Sequence, residues 1–340
     1  MKTLLLTGAG GFIGSHFVEY FLRNTDWNII CIDSFRHKGT YSRLDDIELN
    51  RSRVEIFHHD LNAPIDEVLE DRLNPESIDY IVNLASNSAV ERSVHDPVEC
   101  WRNNCNIIVN MLEFARKCKN LALFVHVSTD EVYGDYSDLY RDIDSVGFKE
   151  WSTIVPSNPY AASKAAQEAL CIAYWRSCTL PIIICNTMNN IGERQDPEKF
   201  LPKIVQSVST GKTVKIYVDS NGTPGSRVYL DAQNHASAIL FLLNSNHPSR
   251  LSGANIPGRY NVCGDIELDN LQLATRVATL MEKMLKYETV PSCSLRPGYD
   301  NRYLLDGTKL KTMGWKPPIK FDETLKRIID HYKEKPYWTA

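Results

Sequence analysis

The chain has 340 residues, 43% of them hydrophobic and 24% charged, with a formal net charge of -4. This balance excludes a disordered or low-complexity chain and shows no basic excess of the kind that binds nucleic acid. Nine cysteines without a Cys-x-x-Cys pair exclude a closed disulfide framework. They suit a reducing cytosol, so a cytoplasmic location is expected, with no signal peptide and no membrane span.

Thr3 to Thr7 reads as a short apolar strand. Gly8-Ala9-Gly10-Gly11-Phe12-Ile13-Gly14 follows and opens a helical pattern through Phe17, Val18, Phe21 and Leu22. Strand, glycine turn and helix form the context of a dinucleotide site. Gly8, Gly11 and Gly14 let the backbone approach a pyrophosphate, and free N–H groups at the helix start, around Phe12 and Ile13, bind it. Asn28 to Ile32 is the second strand. Asp33 at its end stands about 20 residues past the turn, where a carboxylate binds both ribose hydroxyls and favours NAD over NADP. Arg36, His37 and Lys38 read as a solvated loop, and the polar 39–50 segment as a cover for the cofactor.

Val54 to His58 is the third strand, with Asp60 beyond it as an adenine contact. His58 and His59 point to opposite faces of a strand, so no metal pair is expected. Asp79 to Ala85 is the fourth strand, and Ser86 to Ser93 the loop at its carboxyl end, where open parallel sheets bind ligands. Val98 to Lys117 reads as a helix and Leu121 to Ser128 as the fifth strand.

That fifth strand delivers Ser128-Thr129-Asp130-Glu131, a hydroxyl pair followed by two carboxylates. Ser157-Asn158-Pro159 then starts a helix that carries Tyr160 and Lys164 on one face. Lys164 can lower the tyrosine pKa and can bind the nicotinamide ribose. A tyrosinate so prepared takes a proton from a sugar hydroxyl as hydride leaves. Two adjacent carboxylates with opposite jobs need their pKa values pushed apart by burial and mutual repulsion.

Pro181 to Asn186 is a sixth strand, after which the elements shorten. Arg227 is expected to clamp a diphosphate in a two-point fork, with Arg296 as a second candidate. Tyr229 to Leu243 reads as a strand and a returning helix. Asn261 ends a short strand facing the nucleotide. Asp269 to Lys286 and Phe321 to Lys333 read as amphipathic helices. The expected fold is α/β, a Rossmann-type doubly wound parallel sheet with a smaller mixed α/β C-terminal substrate lobe. Residues 1–187 with a returning segment near 228–245 form the first part; 188–227 and 246–340 form the lobe.

The glycine turn, Asp33, Ser128-Thr129 and the Tyr160/Lys164 pair, in that order, resemble the extended short-chain dehydrogenase/reductase family. Thr129-Asp130-Glu131 resembles its nucleotide-sugar 4,6-dehydratases. So do Asn186 to Gln195, Pro197 to Pro202, Arg227 to Leu230, Arg296 to Tyr303 and Gly314 to Pro317, which extends the likeness along the whole chain. The resemblance implies a tightly bound NAD recycled in each turnover. Its implied cofactor residues are Gly8, Gly11, Phe12, Ile13, Gly14, Asp33, Asp60, Leu61, Leu84, Ala85, Ser86, Asn104, Ser128, Tyr160 and Lys164. The implied substrate residues are Ser88, Asn189, Asn190, Lys199, Arg227, Asn261, Arg296 and Tyr299. By resemblance, Tyr160 and Thr129 promote C4 oxidation of an NDP-hexose of the dTDP- or UDP-glucose type. Glu131 takes the C5 proton, Asp130 protonates the departing C6 hydroxyl, and hydride returns to C6.

Asn87, Ala89, Glu193, Tyr299 and the 222–226 stretch depart from the subfamily's pattern, which leaves the base and the hexose open. Alternatives within the family are a 4-epimerase, a UDP-glucuronate decarboxylase and a 5,6-dehydratase. An alternative outside enzymes is a Rossmann protein that senses NAD(H) without turnover. The resemblance also implies a homodimer paired through Val98–Lys117 and Pro159–Arg176.

Overall fold

Strand β1 (Thr3–Thr7) is buried along its whole length because it has a parallel neighbour on each side and helices over both faces. After α1 (Phe12–Asn24), the chain adds β2 (Asn28–Asp33), α2 (Tyr41–Asp45), β3 (Val54–His58) and α3 (Glu67–Leu73). It then returns to the other side of β1 through β4 (Tyr80–Asn83), α4 (Val90–His95), α5 (Pro97–Ala115), β5 (Leu123–Thr129), α6 (Pro159–Ser177) and β6 (Ile182–Thr187). The reversal beside β1 makes the topological switch point at which such sheets bind ligands. The computed structural model describes residues 1–47, 52–136, 147–291 and 301–339.

Alternation along the strands builds two cores. Leu4, Leu6, Val82, Val125 and Ile183 pack with Phe17, Val18 and Phe21 of α1. Leu5, Ile81, Phe124, Ile182 and Ile184 pack on the opposite face with Ile108, Met111 and Leu112 of α5 and Cys171 and Trp175 of α6.

Past β6 the chain forms β7 (Asn190–Ile191), α7 (Phe200–Thr210), β8 (Val214–Val218), β9 (Ser226–Val228) and β10 (Leu230–Asp231). The returning helix is α8 (Ala232–Leu243), whose Ile239 and Leu242 join the α1 core. Next come β11 (Gly258–Val262), β12 (Glu267–Asp269), α9 (Asn270–Leu280), β13 (Tyr287–Pro291), β14 (Arg302–Tyr303), α10 (Thr308–Thr312) and α11 (Phe321–Glu334). A separate core of Ile204, Val208, Ile216, Leu273, Val277, Leu325 and Ile328 holds the lobe.

Three details differ from expectation. Strand β11 pairs in parallel with β6 as the edge of the seven-stranded sheet, order β11-β6-β5-β4-β1-β2-β3. Asn261 therefore belongs to the main sheet, not to the lobe. The stretch Ser86 to Ser93, read as loop, instead enters a helical turn at Val90 that runs to His95. Helix α9 stops at Leu280 because Glu282 takes a left-handed φ of 54°, a conformation that a helix cannot continue through. Among the described residues no helix is long and apolar enough to cross a membrane.

Phe124 is fully buried between α5 and α6. Phe124→Ala is expected to cost about 3–5 kcal/mol in denaturant unfolding, with an unchanged fold by circular dichroism.

Candidate active site

The glycine turn is shaped by close backbone approach. Gly8 has a φ of +72°, and a Cβ on Gly14 would lie 2.0 Å from the Gly8 carbonyl oxygen. The first turn of α1 thus rests directly on the loop, leaving a cradle without side chains. Asp33 closes one side. Its carboxylate accepts from the N–H of Gly10 at 2.9 Å and of Phe35 at 2.8 Å. Burial raises its pKa, and these backbone donors oppose the rise. Phe35, at a φ of 50°, lays its ring beside Gly10 and stacks on Tyr41 at 3.7 Å. Nothing in the periodicity pointed to this aromatic cap.

The Arg36–Lys38 stretch is the solvent-exposed loop expected, and its side chains are paired. Arg36 reaches Asp60 at 3.0 Å and Asn103 at 2.6 Å, and Lys38 pairs with Glu198 at 3.0 Å. Asp60 is half-buried and shared with Arg36, while Leu61 is buried in the α5 core. Thr7 shapes the loop after β4. Its Oγ1 donates to Asn83 and accepts from the N–H groups of Leu84 and Ala85. Asn104 is a clasp in this loop. It accepts from Asn87 N–H at 2.8 Å and donates to Ser163 Oγ at 2.8 Å. Ser163 in turn donates to the Tyr160 carbonyl.

At the carboxyl end of β5 the reactive groups assemble. Thr129 donates to Asp130 Oδ1 at 3.0 Å. Asp130 is wholly desolvated, and that burial, with Glu131 beside it, raises its pKa to about 7. Glu131 is less buried and accepts from Asn158 Nδ2 at 3.1 Å. Asn158 also caps α6 by accepting from Ala161 N–H at 2.9 Å. One residue therefore locks the helix carrying Tyr160 to the carboxylate beside it. The Asn-Pro helix start was legible as a cap; its second contact was not.

Tyr160 and Lys164 are both buried on the face of α6 turned to β5. Burial raises the phenol pKa, as do Glu131 and Asp130, and the hydrogen bond with Thr129 opposes the rise. Lys164 was expected in that opposing role; its Nζ instead donates to the Val127 carbonyl at 2.6 Å, and burial lowers its pKa to about 8.

Buried polar atoms without partners mark where a ligand fits. Ser86 Oγ, Ser128 Oγ and Asp130 Oδ2 all lie at the carboxyl edge of the sheet without a hydrogen bond. Together with the side-chain-free glycine cradle and Asp33, they fit a dinucleotide running from the turn to Thr129.

The expected substrate residues divide. Arg227 on β9 is buried, held by the carbonyls of Ser226 and Asn301 and stacked at 4.3 Å on Tyr303. Its nearby charge opposes the rise of the Asp130 pKa. Ser88, Asn189 and Lys199 are exposed. Asn190 and Asn261 are turned inward. Asn190 bonds His235 at 3.1 Å and the Met188 carbonyl at 2.9 Å, and Asn261 joins the carbonyls of Phe148 and Asp306. Those contacts engage the amide nitrogens of both residues, while Asn261 Oδ1 is buried without a hydrogen bond. Glu193 pairs with Arg327 of α11. Arg296 and Tyr299 lie outside the described residues. Among the described residues no cluster of His, Cys, Asp and Glu could hold a metal.

Two outcomes follow from this geometry. Gly14→Ala should abolish NAD-induced thermal stabilisation, because its methyl occupies the Gly8 contact. Asp130 has a folded pKa above its ordinary 3.8. The neutral form thus contributes stability that is full at low pH and is lost as pH rises to about 7. Asp130→Asn should flatten that part of the melting-temperature profile.

Residues 5–328 match the family described as GDP-mannose 4,6 dehydratase. The chain is 32% identical over 352 aligned positions to the dTDP-glucose 4,6-dehydratase of Haemophilus influenzae, covering 98% of each. The solved dTDP-glucose 4,6-dehydratase of Streptomyces venezuelae, with NAD bound, superposes with a TM-score of 0.83 at 30% identity over 99% of this chain and 98% of that one. A UDP-glucose 4-epimerase of Thermus thermophilus, also in complex with NAD, gives a TM-score of 0.81 at 27% identity over 97% of this chain and 99% of that one. The glycine cradle, Asp33, the carboxylate pair and the Tyr160/Lys164 face thus sit in a chain matched almost end to end, and it belongs to the GDP-mannose 4,6 dehydratase family of short-chain dehydrogenase/reductase enzymes.

Proposed function

We propose that this chain is an NAD-dependent nucleotide-sugar 4,6-dehydratase that converts an NDP-hexose of the dTDP- or UDP-glucose type to the NDP-4-keto-6-deoxyhexose. The observation that carries the reading is the unlike pair Asp130 and Glu131. One carboxyl is desolvated and half-protonated near neutral pH; its neighbour is more open and oriented by Asn158. Elimination of water needs one group to take a proton and another to give one.

NAD supplies reversible hydride acceptance, and Gly8, Gly11, Gly14, Asp33, Ser86, Ser128 and Lys164 would hold it. Tyr160 takes the C4 hydroxyl proton, with Thr129 bridging the phenol and Asp130. Oxidation at C4 acidifies C5–H, and Glu131 removes that proton and returns it to C5 once C6 is reduced, so that the net change is loss of one water. Asp130 gives its proton to the C6 hydroxyl, which departs as water. Arg227 binds the diphosphate and limits how far the Asp130 pKa rises.

The same oxidised sugar serves epimerases, and the epimerase likeness at 27% identity keeps that product class in view. The carboxylate pair supports the dehydratase instead. A panel of nucleotide hexoses analysed by mass spectrometry separates the readings: the expected product is lighter by one water, whereas an epimer keeps its mass. Glu131→Gln should still form NADH on mixing with substrate but release no water; normal elimination in that variant would remove Glu131 from its role.

We also propose a homodimer through the outer faces of α5 and α6. Val98 and Trp101 are 57% and 50% exposed on α5, and Ala162, Ala166, Ala169 and Ala173 line the outer side of α6. Light scattering should give twice the chain mass; a monomer at micromolar concentration would remove the pairing.

A further inference from the structure

Beneath the catalytic turn lies a closed polar ring that the proton transfers above do not use. Tyr160, Lys164 and Glu168 occupy successive turns on one face of α6, and all three are buried. Glu168 is fully buried. Its Oε1 accepts from Asn186 Nδ2 at 2.7 Å, and its Oε2 pairs with the guanidinium of Arg259 on the edge strand β11. Asn186 Nδ2 also donates to the Thr129 carbonyl at 3.0 Å. Arg259 Nη1 donates to the Glu150 carbonyl at 3.0 Å, an oxygen that the Tyr133 hydroxyl also reaches at 2.9 Å. Tyr133 donates on to Asn186 Oδ1 at 3.4 Å, which closes the ring.

Such a ring is costly. Two buried charges lose hydration that their mutual attraction repays only with good geometry, so the pair is weak evidence for stability. The neighbourhood of Lys164 supplies another reason for it. His126 on β5 is held unprotonated by burial and by the nearby positive charges of Lys164 and Arg259. Burial pushes the Tyr160 phenol and the Cys171 thiol of α6 up. Arg259 from β11 has the same sign as Lys164. Burial pulls the ammonium down, and Glu168 is the leading influence that raises it.

We propose that Glu168 is a positioning residue for the cofactor lysine, supplying the countercharge that keeps Lys164 protonated while fixing the Thr129 carbonyl through Asn186. The inference rests on reading Lys164 as the ammonium that binds the nicotinamide ribose. Arg259 is then the balancing charge that lets a carboxylate stay buried there, and its stack on Trp151 at 4.5 Å holds the 148–152 segment over the ring.

The test is the pH dependence of NAD affinity, read by tryptophan fluorescence quenching without nucleotide sugar, in the wild type, Glu168→Gln and the double variant Glu168→Gln/Arg259→Met. In the wild type, affinity should fall as pH rises through about 8. Glu168→Gln should move that midpoint down by about one pH unit or more, the size of a lost charge partner. The double variant has no orphaned guanidinium, so it should regain melting temperature while keeping the lowered midpoint. A wild-type midpoint in Glu168→Gln, or a midpoint restored together with stability in the double variant, would overturn the inference and leave Glu168 a structural partner of Arg259. NAD affinity independent of pH in the wild type would overturn the reading of Lys164, and the inference with it.

Discussion

Everything chemical in this molecule depends on β5 being buried from end to end. Seven consecutive residues, Leu123 to Thr129, lie under helices on both faces and between two parallel neighbours. A strand so placed carries mainly apolar side chains, the buried His126 excepted, until its ladder ends. Ser128, Thr129 and Asp130 emerge at that limit, in a site already stripped of water. At the carboxyl edge of the sheet a short step along the chain thus moves from an apolar core to unpaired donors and acceptors.

Desolvation then sets the charge of each group. It raises Asp130 and Tyr160 and lowers Lys164 and His126, always toward the neutral form. Differences between the groups arise from their partners. Glu131 has the Asn158 amide, Asp130 has Thr129 and the field of Arg227, and Lys164 has the Val127 carbonyl and Glu168. Two carboxylates adjacent in the chain become chemically unlike because one faces the interior and the other faces the cap of α6.

The second half of the chain braces the site. Arg227 is presented from a three-stranded sheet whose outer strands, β12 and β14, pair with β9 on either side. Arg327 and Thr324 of α11 converge on Asp231, the residue that caps α8. Asn190 and Asn261 are absorbed by the same bracing. Their amides read as ligand contacts because polar residues at strand ends commonly are. Asn261 meets carbonyls from two distant loops, at Phe148 and Asp306, whereas Asn190 is held by the nearby Met188 carbonyl and by His235 of α8.

Local order carried much of the account. The glycine turn, the carboxylate after β2, the apolar runs of five main strands and the Asn-Pro start of α6 are each written in a few consecutive residues, because backbone conformation, capping and burial periodicity are short-range effects. The family resemblance followed from the same motifs. The sequence by itself thus determined the layered sheet and the site's edge of that sheet, and singled out Thr129, Asp130, Glu131, Tyr160 and Lys164 as its candidate chemical set. Only the tertiary structure decided that β11 joins the main sheet, that Asn158 holds Glu131, that Phe35 caps the glycine turn, and that Glu168 and Arg259 meet beneath Lys164. The Asn158–Glu131 contact spans 27 positions of chain and the Glu168–Arg259 pair 91, and burial and charge at such contacts are properties of the folded neighbourhood, which no local window contains.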